Sequence, residues 1–219
     1  MLPEPKLSEV YGQEVMRNQI RWIYNSGFDL AYGISTSERR DINPGEPSTF
    51  ADQIKYVPID YLALAYLFKP MMFARQDVFV DIGCGLGRAV LMASRRPIQH
   101  AIGVEYDQNL SKRARENAAR LRGRRAPVDI LCMDAIEADY SAATIIWMYN
   151  PFGEQTMKAV LDRIGASLIR APRHLLIAYA NPRLAPLLDA QNWVRRREER
   201  QFPGARENGH AIYWEAPAH

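Results

Sequence analysis

The chain alternates short apolar runs with amphipathic stretches, and most of its structural information lies in that alternation. Val78-Phe79-Val80-Asp81-Ile82 is β-branched and aromatic-rich with no polar alternation, which predicts a short strand buried on both faces. Ala89 to Ala93 are apolar and largely helix-favouring, and Arg95-Arg96-Pro97 closes that helix with basic residues and then a proline. Similar apolar runs at 101–105, 128–133, 144–149 and 174–179 predict four further strands, and the stretches 107–121, 154–169 and 183–190 read as helices. Residues 193–202 and 211–215 read as a terminal antiparallel pair, joined through Pro203-Gly204 and Asn208-Gly209.

Ahead of this alternation, residues 6–25 show a helical pattern that closes at Asn25-Ser26-Gly27. Residues 28–37 and the polar stretch after them, with Asn43-Pro44-Gly45 and Pro47, predict an irregular loop of a length often used for a lid. A helix follows over 59–68, with Asp60 near its start and Lys69-Pro70 at its end. Repeated strand-helix units imply a parallel sheet covered by helices on both faces, and the closing pair implies a reversed strand at or near one edge. The expectation is an α/β fold of three layers, with an N-terminal helical extension over 1–52 and the main domain over 53–219.

Composition narrows the class. A chain of 219 residues suits one domain with a sizeable core, and 47% hydrophobic with 24% charged residues is ordinary for a globular protein. The net charge of +3 gives no strong reason to invoke nucleic acid. Lys112, Arg113, Arg115, Arg120, Arg122, Arg124 and Arg125 are instead expected on the exposed face and C-terminal end of one helix, where cations oppose the helix dipole. Cys84 and Cys132, the two cysteines, lack the spacing of a disulfide framework or a zinc site, which fits a reducing cytoplasm. No apolar stretch is long enough to span a bilayer, and Met1-Leu2-Pro3-Glu4-Pro5 is unlike a secretory signal, so a cytoplasmic protein without a membrane partner is expected.

The candidate chemistry sits where the first strand ends, at Asp81-Ile82-Gly83-Cys84-Gly85-Leu86-Gly87-Arg88. Strand, glycine loop and helix together aim backbone at a ligand beside the helix N-terminus. A dinucleotide fingerprint requires G-x-G-x-x-G, but Arg88 occupies its third glycine position and Gly87 comes one residue early, which disfavours an NAD-dependent oxidoreductase. In open parallel sheets ligands bind beyond the carboxyl ends of the strands, so Asp81, Glu105, Asp134 and Asn150, which end successive runs, are expected to converge. An acid at the position of Glu105 can accept hydrogen bonds from ribose hydroxyls, which points to a nucleoside.

The run from Asp81 to Gly87 resembles motif I, D-x-G-x-G-x-G, of the class I S-adenosylmethionine (SAM) methyltransferases. The resemblance covers about residues 53–219 and implies a Rossmann-like sheet of seven strands, mostly parallel, whose last hairpin supplies the reversed strand. It implies SAM as cofactor. Asp81 would face the methionine ammonium, while Gly83, Cys84, Gly85 and Gly87 would form the loop beneath it. Glu105 and Tyr106 would hold the ribose end, and Asp134-Ala135 the adenine edge. Tyr56-Val57-Pro58 resembles a short motif found upstream of the glycine loop in some members, where Tyr56 would close over the cofactor. Asn150-Pro151-Phe152-Gly153 resembles the Asn-Pro-Pro-Tyr type motif of N-methyltransferases, with Phe152 at the second proline and Gly153 at the aromatic. In that motif the asparagine oxygen and the proline carbonyl accept hydrogen bonds from the target nitrogen, and the sulfonium is already a good leaving group.

Nothing resembling a Ser-His-Asp set, a metal-ligand cluster or a G-K-[ST] phosphate loop stands in the sequence. His174 reads as structural, and no general base is identifiable. Tyr32, Tyr149 and Tyr179 are candidate pocket liners. The expected function is methyl transfer from SAM to a nitrogen nucleophile, with a protein lysine favoured as acceptor. The alternatives are a small-molecule or nucleic-acid methyltransferase and a non-catalytic SAM-binding module.

Overall fold

The computed structural model describes residues 7–37, 57–202 and 209–218, with side chains from residue 19 onward. Tyr56 and positions 38–52 of the expected lid lie outside the described residues, as does the turn at 203–208.

One seven-stranded sheet organises the chain, in the order β3-β2-β1-β4-β5-β7-β6. Its strands are β1 (Val78–Ile82), β2 (His100–Glu105), β3 (Val128–Cys132), β4 (Ile145–Tyr149), β5 (Leu175–Ala180), β6 (Arg195–Gln201) and β7 (His210–Ala216). β1 to β5 pair in parallel, and β7 runs antiparallel to both β5 and β6, so the reversed strand lies one place in from the edge. Strand order reverses at β1, whose neighbours are β2 and β4; in open α/β sheets that is where the crevice for a ligand opens.

The pleat sends alternate residues into two cores. Phe79, Ala101, Ile145, Trp147 and Ala178 face a core shared with α2 (Tyr61–Leu67), α3 (Arg88–Ala93) and α4 (Gln108–Arg120). Val80, Ile82, Val104, Ile146, Met148 and Ile177 face a second core shared with α5 (Glu154–Arg170) and α6 (Ala185–Asp189). Burial of whole strands such as β1 and β5 explains why they read as unbroken apolar runs. Edge strand β6, by contrast, is Arg- and Glu-rich and mostly exposed, a composition that discourages further pairing.

Two readings of the N-terminal region need correction. The first helix does not close at Asn25-Ser26-Gly27: α1 runs from Leu7 to Tyr32, so residues 28–32 are helical, not irregular loop. Tertiary contacts override the local stop signal. Buried Asn25 turns its amide onto the Arg21 carbonyl (2.7 Å) and Asp60 (2.7 Å), holding α1 against the start of α2. Beyond it Phe28 and Tyr32 stack at 5.9 Å and both rings meet Tyr61. Gly27 offers a Cβ only open space, so it serves no turn.

Candidate functional site

At the end of β1 the chain turns through Gly83, Gly85 and Gly87, all with positive φ (73°, 56° and 90°). A Cβ built on Gly83 would lie 2.5 Å from the Pro151 Cβ, so only glycine lets the loop and the β4 exit touch. The loop is closed by internal hydrogen bonds. Gly83 and Cys84 N–H both donate to the Val104 carbonyl (2.9 and 3.0 Å), Gly85 N–H to Glu105 Oε2 (2.7 Å) and Gly87 N–H to the Cys84 carbonyl (2.8 Å). Four N–H groups of the turn are therefore spent on protein acceptors. A pyrophosphate would need such groups free, so the geometry agrees with the broken dinucleotide fingerprint.

Asp81 lies beneath this turn, 3% exposed, and its Oδ2 accepts from the Val90 N–H at 3.1 Å. Burial drives its carboxyl up to about 8, the Val90 hydrogen bond opposes that, and the nearby Glu105 charge adds to it. Glu105, one strand away, uses Oε2 for Gly85 and Oε1 for the Asp107 N–H at 3.0 Å. Its pKa is also raised, first by burial, with the backbone N–H groups of Asp107, Gly85 and Tyr106 pulling the other way. Tyr106 beside it is 37% exposed. Cys84 is buried, its sulfur packed close against Gly103, so the loop presents its backbone and not its thiol.

Beyond β3, Asp134 Oδ1 accepts from the Ile136 N–H at 3.0 Å and fixes the turn in which Ala135 is buried. Beyond β4, Asn150 sits in the left-handed region at φ 42°, a conformation that side chains other than glycine adopt at a cost and that recurs at functional sites. Asn150 is 5% exposed, and its Oδ1 accepts from the Tyr179 hydroxyl at 2.9 Å. Tyr179 is thus a support for Asn150 from the next strand, and burial raises its hydroxyl pKa to about 12. Pro151 meets Gly83, and Phe152 is buried in the second core. Glycine loop, Glu105, the Asp134 turn and Asn150-Pro151 therefore stand at the C-terminal ends of four strands that are neighbours in the sheet.

Sequence reading missed the support behind the loop. Arg88, noted only as a residue out of place, is 3% exposed. It donates to Thr36 Oγ1 (2.7 Å), the Ile59 carbonyl (2.6 Å), Asn25 Oδ1 (3.2 Å) and Ser37 Oγ (2.9 Å), and lies 4.4 Å over the Tyr61 ring. Asp29 completes the group, accepting from Thr36 and Ser37, with Arg88 3.9 Å away. Asn117 of α4 bridges Ser35 to the Leu86 carbonyl (3.0 Å). Segment 33–37 is in this way tied to the glycine loop. An asparagine on the apolar face of α4 and an arginine immediately after the third glycine were the available signals.

Residues 79–169 match the model of the methyltransferase domain family. An uncharacterised protein of Methanocaldococcus jannaschii is 32% identical over 93 residues, 42% of this chain and 41% of that protein. A protein-lysine N-methyltransferase of Saccharolobus islandicus is 24% identical over 102 residues, 46% of this chain and 63% of that protein. The matches thus span less than two thirds of either relative. Among solved structures, an RNA methyltransferase from Salinibacter ruber in complex with S-adenosyl-L-homocysteine superposes with a TM-score of 0.53 at 21% identity, over 74% of this chain and 95% of that one. The likeness to a methyltransferase domain lies in residues 79–169, and the chain has the Rossmann-like fold seen in class I SAM-dependent methyltransferases.

Proposed function

We propose that this protein is a SAM-dependent methyltransferase acting on a nitrogen nucleophile, with a protein lysine as acceptor. The observation that carries the reading is the contact between Gly83 and Pro151, which sets Asn150 and Pro151 beside the glycine loop. The cofactor's chemistry fits the residues present. Asp81 is a buried carboxyl that no described residue pairs with a cation, and a bound ammonium would hold it ionised. Glu105 accepts from backbone N–H groups, and a carboxylate's two oxygens offer about four lone-pair sites, leaving room for a ribose hydroxyl. The Asp134 turn would take the adenine end.

Bound SAM supplies a methyl group on sulfur whose departure leaves a neutral thioether. The protein's part is to position the nitrogen, the kind of contribution that orientation alone can make large. Asn150 Oδ1, held by Tyr179, and the Pro151 carbonyl are the acceptors offered to the N–H groups of the substrate, and Phe152 backs them from the second core. A lysine must lose its proton before attack, because its ordinary pKa is about 10.4. The likeness over part of a protein-lysine N-methyltransferase supports lysine over other amines.

The test is incubation with methyl-labelled SAM and a cell extract separated into protein, RNA and small molecules. Label in protein, recovered as methyl-lysine after acid hydrolysis and lost with Asn150→Ala, is the expected result. Label confined to RNA or small molecules would overturn the acceptor, and no label in any fraction would overturn catalysis.

A further inference from the structure

At the other end of α3 from the glycine loop lies a cavity of about 330 Å³, between α1, α2 and the turn after α4. Its walls are aromatic and apolar: Phe28 and Tyr32 from α1, Tyr61 from α2, Phe68 just beyond it, and Met92 from α3. The size is that of pockets which enclose small organic ligands. Its charged lining is cationic throughout, with Arg95 and the exposed Arg96 and Arg125, and no lining residue is acidic.

Arg95 marks where a ligand would bind. Its guanidinium lies 4.1 Å over the Tyr32 ring, yet its Nε is buried and has no hydrogen-bond partner among the described residues. That Nε lies against Gly123, out of reach of the cavity, and the outer N–H groups of the guanidinium are the ones shaped for an oxyanion. The frame around it is fixed by backbone bonds, from Arg122 N–H to the Tyr32 carbonyl and from Arg125 N–H to the Ser94 carbonyl, both 2.9 Å.

We propose that this cavity binds a small aromatic anion, a ring system bearing a carboxylate, sulfonate or phosphate, at a site separate from the SAM cleft. The ring lies against the aromatic wall that Phe28, Tyr32 and Met92 present, and the anionic group accepts from the outer N–H groups of the Arg95 guanidinium with Arg96 and Arg125 adding charge. The inference stands whether or not the chain transfers methyl groups, because none of its lining residues belongs to the glycine loop or the strand ends.

Fluorescence titration of the full chain with 1-anilinonaphthalene-8-sulfonate, alongside the uncharged N-phenyl-1-naphthylamine, tests it. The expected result is one saturable site for the sulfonate per chain, undisturbed by saturating S-adenosylhomocysteine. Arg95→Gln should weaken the sulfonate about tenfold and the neutral probe less than twofold. Ala65→Trp, at an exposed α2 position on the cavity wall, should abolish both while leaving the thermal melt unchanged. No saturable binding, displacement by S-adenosylhomocysteine, or equal loss of both probes in Arg95→Gln would overturn the proposal.

Discussion

The Tyr179 hydroxyl on β5 donates to the Asn150 side-chain oxygen just past β4 at 2.9 Å, and Tyr179 has no exposed surface. Asn150 is thereby held in one orientation at a strained backbone position. Tyr179→Phe is expected to cost about 1 kcal/mol of stability, the usual worth of one buried hydrogen bond. It should lower kcat for methyl transfer five- to twentyfold and leave the dissociation constant of S-adenosylhomocysteine within twofold. Calorimetry and a single-turnover assay would separate the two effects.

Gly83→Ala places a methyl group 2.5 Å from the Pro151 Cβ at a φ of 73°. Left-handed backbone alone costs a residue with a Cβ about 1–2 kcal/mol, and the clash forces the loop from the β4 exit. A loss of at least about 2 kcal/mol in urea unfolding and at least a tenfold weaker affinity for S-adenosylhomocysteine are expected. Gly27→Ala, in open space within α1, should instead be neutral or slightly stabilising.

Arg88→Leu removes the buried cation beside Asp29 and takes a donor from Thr36, Asn25, Ser37 and the Ile59 carbonyl. Breaking a buried pair by removing one partner typically costs about 3–5 kcal/mol. Thermal melting would register this, and limited proteolysis should show earlier cleavage between α1 and α2 than in the native chain.

Asp81 gives stability a sign in pH. Its carboxyl titrates near 8 when folded and in the ordinary carboxylate range when unfolded, so the folded state holds the proton more tightly. Stability is fully present below pH 4, declines as pH rises towards 8, and levels off above that. Between pH 6 and 8 the loss is roughly 2 kcal/mol, and Asp81→Asn should remove most of it. Melting curves of both proteins across that range check the claim.

Much of the sheet was legible because each of its inner strands is buried on both faces and therefore nearly uniform in polarity. β1 was read to the residue, and the reversed strand followed from the terminal pair. Asp81, Glu105, Asp134 and Asn150 stood out as polar residues ending apolar runs, and the parallel order places them on one rim. The extent of α1 was not legible: Asn25-Ser26-Gly27 is a local stop signal, and the contacts that override it, Asn25 with Asp60 and Phe28 with Tyr61, span 35 and 33 residues of the chain. Arg88 was hidden for the same reason, since its partners Asn25, Thr36 and Ile59 all come from the N-terminal region.

Isothermal titration of the full chain with S-adenosylhomocysteine tests the central claim most directly. One saturable site with micromolar affinity is predicted, weakened at least tenfold by Glu105→Gln. A folded protein that takes up no ligand at millimolar concentration, or one whose affinity is indifferent to Glu105, would contradict the account.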